Sequence, residues 1–581
     1  MGIAARLLRA FHGGVHPEER KNLSEQCAIE TMPLPEQLYV PLHQHIGAPC
    51  EPCVSPGSHV DKGEVIGRAE GFVSAAVHAP TSGLLVDFVD RPAMHPSGLS
   101  MLCALIEPDG TDHWLETLQA IEDPFTMPPQ QLRDRIRDAG VVGLGGATFP
   151  SFIKLSRPKG KAVELLIING VECEPYLTCD ARLMEECAAD IVAGIAIMLH
   201  ALWTKRCIIA IEENKPAAIR AMQQAIVGHA DMEVRVLPVR YPQGAEKQLI
   251  EVLTSRQVPS GGLPVDVGVI VHNVGTAVAI RDAVLHGKPL ISRIVTVTGE
   301  GVVRPANVRV LIGTPLRTLV DHCGGLKPGV KKLISGGPMM GVALQSLDVP
   351  VVKGTSGVLA LMDDVVVQQQ EQACIRCGHC VEACPMRLMP CDMAWLARHD
   401  QFDTLQRHDL FDCIECGSCS YVCPAHIPLV HYFRYGKLSI QAQGRERRKA
   451  ELAKARTQAR EDRLAREKAE RERKKLEMKA KASSMAAARA AAAAAAADQP
   501  AAPVAETSIL ETGVPTAAPS APAVTTAVLD PLDDMVVEPG TDKASRAAAT
   551  RARTARARGV AARAVAERQQ AATDQSNQSK Q

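Results

Sequence analysis

The chain has 581 residues, 65 basic and 65 acidic side chains, 46% hydrophobic residues, 3% aromatic residues and 18 cysteines. This length suits roughly three to five domains of ~100–200 residues, the apolar content excludes a wholly disordered polymer, and zero net charge argues against nucleic-acid binding by the chain as a whole. The balance hides an asymmetry: residues 441–581 carry 26 basic and 18 acidic residues, a net +8, so residues 1–440 carry −8.

No apolar stretch follows the basic segment Met1–Ala10, so no secretory signal is expected. The longest oily run, Ile191–Trp203, is too short for a bilayer and contains His200. The expected compartment is the reducing cytoplasm, where clustered cysteines bind metal or do redox work more often than they form disulfides.

After an N-terminal arm, 1–36, residues 37–125 read as short strands punctuated by Gly and Pro. His43, His45, Cys50 and Cys53 can be drawn there as a zinc site, although Gly47 and Pro49 interrupt it. From 126 to 290 strand and helix alternate. Pro128 and Pro129 open a helix over Gln130–Ala139, and Gly140 is placed to end it. The continuous apolar run Val163–Ile168 reads as a buried parallel strand, and Cys207–Ile211, Glu233–Val239 and Val267–Val271 read as further strands, with helices over Ala181–Trp203 and Pro216–Ile226. That alternation predicts a doubly wound parallel α/β sheet within a multidomain α/β protein.

Such sheets bind ligands at the carboxyl ends of their strands. Three strand-ending loops here carry polar groups: Asn169, Glu172 and Glu174; Gln243 and Glu246; Asn273 and Thr276. Upstream, Gly143, Gly145 and Gly146 would let backbone N–H groups approach a phosphate, with Lys154 adding positive charge. The loop lacks the third glycine of a dinucleotide fingerprint, and Phe149-Pro150 sit where its helix should begin. Taken singly, the loop also fits a structural turn and the glutamates fit solvated carboxylates. Residues 291–345 then alternate with period two, as in Arg293–Val297 and Val308–Ile312, and read as strands.

The strongest signal is an internal repeat within 346–440. Cys374, Cys377, Cys380 and Cys384-Pro385 recur 39 residues later as Cys413, Cys416, Cys419 and Cys423-Pro424. Three thiolates at this spacing wrap one corner of a [4Fe–4S] cube, and in two-cluster ferredoxins the fourth cysteine ligates the other cube. Cluster one should therefore take Cys374, Cys377, Cys380 and Cys423, and cluster two Cys413, Cys416, Cys419 and Cys384. A zinc site would use four ligands and would leave the third cysteine of each run and both Cys-Pro endings unexplained. The spacer reads as helical through Met393, Leu396 and Leu405, and Cys391 within it reads as a buried thiol. Residues 441–581 are a different polymer: a charged helix over 441–489, then Ala- and Pro-rich sequence expected to be disordered.

The stretches GLGGATFPSFIKL (143–155), INGVECEPY (168–176), YPQGAEKQL (241–249) and HNVGTAVAI (272–280) resemble the NADH-oxidising, flavin-binding subunit of respiratory complex I. Together with FHGGVHP (11–17), HAPTSG (78–83) and the double ferredoxin motif, residues 1–440 resemble more closely the C subunit of Rnf/Rsx ion-translocating electron-transport complexes. The resemblance implies a biotinyl/lipoyl-like barrel-sandwich over 37–125, an FMN/NADH domain over 126–290, a soluble-ligand-binding β-grasp over 291–345 and a helical two-cluster ferredoxin over 346–440. It implies FMN held by the glycine loop, Lys154, Asn169, Glu172, Tyr241, Gly244, Asn273 and Thr276. NADH would stack near Phe149 and be held by Glu174 and Glu246. Leu144 stands where the complex I protein has an arginine, Thr148 a glycine, Val171 an aspartate and Ala245 a glutamate.

The implied role is an NADH-dependent oxidoreductase subunit with FMN and two [4Fe–4S] clusters, peripheral on the cytoplasmic face of the inner membrane. It would dock on integral membrane subunits of its complex and exchange electrons with ferredoxin or another redox protein. Rival readings are a corrinoid reductase, an electron carrier with a vestigial flavin site, and a scaffold in which the clusters are structural.

Overall fold

The computed structural model describes residues 10–95, 97, 99–156, 160–362 and 370–496. The chain divides into two units, Met1–Ala469 and Glu470–Gln581. The first holds every sheet found among the described residues.

Two small antiparallel sheets come first. One takes the strands Leu38–Pro41, Ser100–Pro108, Gly83–Pro92 and Ser58–Val60 in that order, and the other takes Glu51–Pro52, Val65–Arg68 and Val77–His78. Leu38, Val40, Val60, Ile66, Leu85 and Ile106 fill the space between them. The drawn zinc site does not assemble. Nε2 of His45 accepts from the Ala75 amide at 3.1 Å, Cys53 is exposed with its thiol on the Val65 carbonyl, and His43 turns to Gly47.

The central sheet is wholly parallel, in the order Met232–Leu237, Cys207–Glu212, Leu165–Gly170, Val269–Asn273. Alternate residues face opposite sides, as the pleat requires. Leu166, Ile168, Ile209 and Ile211 point into one core, and Leu165, Ile167, Ile208 and Ala210 into another. Both faces are therefore covered, which is why the inner strands Leu165–Gly170 and Cys207–Glu212 read as nearly unbroken apolar runs. The chain order reverses between Leu165–Gly170 and Val269–Asn273, a switch point where a crevice opens beyond the strand ends.

The expected helix Ala181–Trp203 is two helices, Cys179–Glu186 and Ala188–Leu202. Cys187 breaks it at φ −127°, and Trp203 ends it in the left-handed conformation. The apolar period runs through the break, so nothing in the pattern marks it.

A six-stranded mixed sheet follows, ordered Ile29–Thr31, Ala306–Leu311, Ser292–Thr298, Gly357–Met362, Val330–Ser335, Val342–Leu344. It recruits one strand from the N-terminal arm and one, Gly357–Met362, from the stretch that the sequence pattern groups with the ferredoxin.

The cysteine repeat is visible in the backbone. Short helices His379–Glu382 and Ser418–Tyr421 share the 39-residue offset. So do the left-handed residues Arg376 and Glu415, Gly378 and Gly417, and Arg387 and His426. Met393, Leu396 and Leu405 are buried in this module's own core. The helix Leu429–Ala496 leaves it and includes the expected charged helix. The Ala- and Pro-rich tail from residue 497 lies outside the described residues. Among those described, no helix is long and apolar enough to cross a membrane.

Candidate flavin site and iron–sulfur centres

The glycine-rich loop springs from the end of the helix Pro129–Asp138. The Gly143 amide donates to the Phe149 carbonyl at 2.8 Å, which closes the loop on itself. Its tip, Gly145–Ala147, is exposed. Gly146 adopts φ +112° with nothing within 4 Å of where a Cβ would stand, so a ligand can approach the backbone there.

Three side chains from other segments hold the loop. Thr276 accepts from the Leu144 amide at 2.9 Å. Arg293, buried, donates to the carbonyls of Leu144 and Thr355, each at 3.2 Å. Lys353, almost wholly enclosed, donates to the carbonyls of Gly140 at 2.7 Å and Ala76 at 2.8 Å. That ammonium ties the loop's base to the barrel-sandwich. Burial lowers its pKa to about 8.

Several expected ligand groups spend their polar atoms internally. Asn273 caps the helix Val274–Leu285, accepting from Gly275 at 2.8 Å, and donates to Asp180 at 2.6 Å. Asn169 donates to the Gly244 carbonyl at 2.8 Å and accepts from Val171. These bonds set the shape of the crevice. Lys154 reaches along it, donating to Glu246 at 2.7 Å and to the Val271 carbonyl at 3.3 Å. His272 is buried beside Lys154 with its Nε2 unpartnered; burial and the ammonium lower its pKa to about 3. Gly145 lies against Asn273, Thr276 holds Leu144, and Lys154 with Glu246 lies at the Val271 carbonyl, so these residues meet near the carboxyl end of the strand Val269–Asn273. Phe149 is half-buried.

Glu172 and Glu174 spend their carboxylates on backbone amides. Glu172 accepts from the amides of Asp180 at 2.7 Å and Ala181 at 3.3 Å, at the start of the helix Cys179–Glu186. Glu174 accepts from the amides of Met339 at 3.1 Å and Met340 at 2.8 Å, in a turn of the mixed sheet. Lys21 of the N-terminal arm donates to the carbonyls of Glu172, Glu174 and Leu177. Among the described residues, Glu172, Cys179 and Asp180 form the one grouping whose ligand atoms all lie within 4.8 Å of one another, as for a single shared ion. Lys21 answers the Glu172 carboxylate and Arg293 the Asp180 carboxylate, while burial keeps the Cys179 thiol protonated.

Burial raises Glu174 and Glu172 to about 7. A carboxyl with a raised folded pKa holds its proton where the unfolded chain has lost it. Stability therefore falls as pH rises from about 4.5 to about 7, by at most about 1.4 kcal/mol per pH unit per group. Glu174→Gln should flatten the thermal midpoint between pH 5 and 7; a slope unchanged from the parent would contradict the assignment.

Tyr241 is likewise committed. Its ring is buried and its hydroxyl donates to the Cys416 carbonyl at 2.7 Å. The helix Glu246–Thr254 makes a second link: beyond Glu246, Lys247 pairs with Asp412 at 3.4 Å and Gln248 donates to the Met386 sulfur.

The cysteines fall into two groups. Cys384 lines one cavity with Cys413, Cys416 and Cys419, and these four thiols feel one another electrostatically. Cys380 feels Cys423 electrostatically, and Cys374 and Cys377 are exposed. Cys391 is half-buried beside Cys380 rather than buried in a core. Burial pushes Cys413 up to about 11 and Cys380 up to about 12, so a metal must draw off these protons to bind thiolate.

Sequence reasoning missed Arg293, Lys353 and His272. The polar, glycine-flanked turn Lys353-Gly354-Thr355 was a usable signal; nothing local distinguishes Arg293 from other strand residues.

Four family models match the chain: an RnfC barrel sandwich hybrid domain over 9–111, a Nuo51 FMN-binding domain over 136–282, an SLBB domain over 294–343 and a 4Fe-4S dicluster domain over 373–427. The chain is 45% identical over 445 residues to the C subunit of the proton-translocating ferredoxin:NAD(+) oxidoreductase complex of Clostridium ljungdahlii, covering 76% of this chain and 96% of that one. It is 44% identical over 460 residues to the C subunit of the ion-translocating oxidoreductase complex of Cronobacter sakazakii, spanning 79% of this chain and 59% of that longer protein. An NAD+-reducing [NiFe]-hydrogenase structure aligns at 19% identity with a TM-score of 0.40, over 55% of this chain and 64% of that one. FMN and two [4Fe–4S] clusters are accordingly this chain's cofactors. The open tip at Gly146, the lysine along the crevice and the cavity lined by Cys384, Cys413, Cys416 and Cys419 suit them. The chain belongs to the family of C subunits of ion-translocating ferredoxin:NAD+ oxidoreductase complexes, as a peripheral electron-transfer subunit.

Proposed function

We propose that this chain exchanges electrons between NADH and the integral membrane subunits of its complex on the cytoplasmic face, by way of a flavin and then cluster two and cluster one. Bound FMN supplies hydride acceptance and one-electron release. The chain's own residues do the positioning. The backbone at Gly143–Gly146 and the Lys154 ammonium receive the FMN phosphate. Asn169, Gly244, Asn273 and Thr276 shape the crevice. Phe149 and Glu246 border the nicotinamide nucleotide, while Glu172 and Glu174 brace the loop from behind. Cluster two takes Cys413, Cys416, Cys419 and Cys384; cluster one takes Cys374, Cys377, Cys380 and Cys423.

One observation carries the reading: successive residues of one helix start touch both sites, Glu246 at Lys154, Lys247 at Asp412 next to Cys413, and Gln248 at Met386 in the wall of the cluster-two cavity. The exposed Cys374 and Cys377 make cluster one the outlet toward a redox partner. No general acid or nucleophile is needed. The test is an anaerobic NADH titration of the FMN-loaded protein. NADH should bleach the visible iron–sulfur band. A band left unchanged while FMN is bound would overturn the proposal.

A further inference from the structure

The N-terminal arm does more than supply an edge strand. The Gly14 amide donates to the Ala383 carbonyl at 2.9 Å, one residue before Cys384. Val15 and Tyr241 exchange two backbone bonds, at 2.8 and 2.9 Å. Arg240 donates to the carbonyls of Phe11 and Gly13 and lies over the Phe11 ring at 4.7 Å. A Cβ on Gly13, at φ +68°, would stand 2.8 Å from backbone atoms of Ala383 and Cys384, so only glycine allows this approach. Val15, Tyr241, Ala383 and Cys416 form a small buried core of their own. Two cysteines assigned to cluster two, Cys384 and Cys416, are thus gripped through their backbones from the flavin side.

We propose that the strap Phe11–Val15 and Tyr241 form a clip that positions cluster two for electron exchange with the flavin, with Tyr241 as the positioning residue. The proposal rests on the electron order given above. Electron transfer here makes and breaks no bond, so its rate is set by placement and by the difference in potential. The clip acts on both. It fixes the ligand backbone, and the Tyr241 hydroxyl, donating to the Cys416 carbonyl, would offset part of the negative charge that a cluster held by Cys416 gains on reduction. Hydrogen bonding and burial tune such potentials. Removing the hydroxyl also leaves the Cys416 carbonyl buried without its partner.

The test uses the full chain loaded with FMN and both clusters. In a mediator titration followed by electron spin resonance, Tyr241→Phe should move the cluster-two midpoint to a more negative value and alter its spectrum, with cluster one unchanged. In rapid mixing with NADH, Tyr241→Phe and Gly13→Ala should reduce flavin at the parent rate and bleach the clusters about tenfold more slowly or worse. Parent-like cluster-two potential, spectrum and bleaching rate in Tyr241→Phe would overturn the clip; that variant keeps the ring, so it decides the matter if Gly13→Ala fails to fold. Should NADH not bleach the parent protein, the electron order fails, while the mediator titration still reports on Tyr241.

Discussion

Cys416→Ala will strip cluster two and leave cluster one intact but beyond the reach of NADH. Cys416 shares its cavity with Cys384, Cys413 and Cys419, so iron and acid-labile sulfide should fall by about half. Flavin should stay, because the glycine loop is held by Thr276, Arg293 and Lys353, none of them in the ferredoxin module. Dithionite should still bleach the remaining band; NADH should not. Cys377→Ala gives the opposite pattern. Cys377, exposed, is one of the residues we assign to cluster one, and its loss should remove that cluster while NADH still bleaches cluster two. Measuring iron, flavin and NADH-dependent bleaching in both variants separates the two orders. NADH-driven bleaching in Cys416→Ala would place cluster one next to the flavin. Loss of flavin together with iron in that variant would show that the modules stand or fall together.

That asymmetry was only half legible in the sequence. The cysteine spacing is a local pattern, closed within about a dozen residues, and it survives into matching left-handed backbone at Arg376 and Glu415. The inner parallel strands were legible for a similar reason, since burial on both faces demands a nearly unbroken apolar run. The strand Gly357–Met362 carried the same signal, but the nearby cysteine motif drew it into the wrong grouping. Partners across the fold were not legible. Tyr241 and Cys416 are 175 residues apart, and Glu174 and Met339 are 165 apart. A loop tyrosine or glutamate can serve a ligand or a neighbouring module, and only topology decides. Family resemblance put Tyr241 and Glu174 beside the nucleotides because their motifs match. The folded chain shows the hydroxyl and the carboxylate already committed, one to a cluster loop and the other to a turn of the mixed sheet.

Lys154 and Glu246 offer the sharpest separation of flavin binding from NADH use. Their side chains are paired at 2.7 Å and each is about one-third exposed, so solvent screens the pair and its own worth is small. The pairing matters because it aims the ammonium. Lys154→Met removes the cation that reaches along the crevice, and a charge-assisted hydrogen bond to phosphate is worth about 1.5–3 kcal/mol. FMN affinity should therefore fall roughly 10- to 100-fold, read by equilibrium dialysis or by recovery of flavin fluorescence, and more steeply at low salt. Glu246→Gln leaves the ammonium in place and takes away a negative charge beside it. FMN should be held at least as tightly, while the NADH concentration needed for half-maximal bleaching rises, because the carboxylate we propose to border the nicotinamide nucleotide is gone. If Glu246→Gln instead loses flavin as severely as Lys154→Met, the carboxylate serves the flavin by holding the lysine, and its assignment to NADH falls.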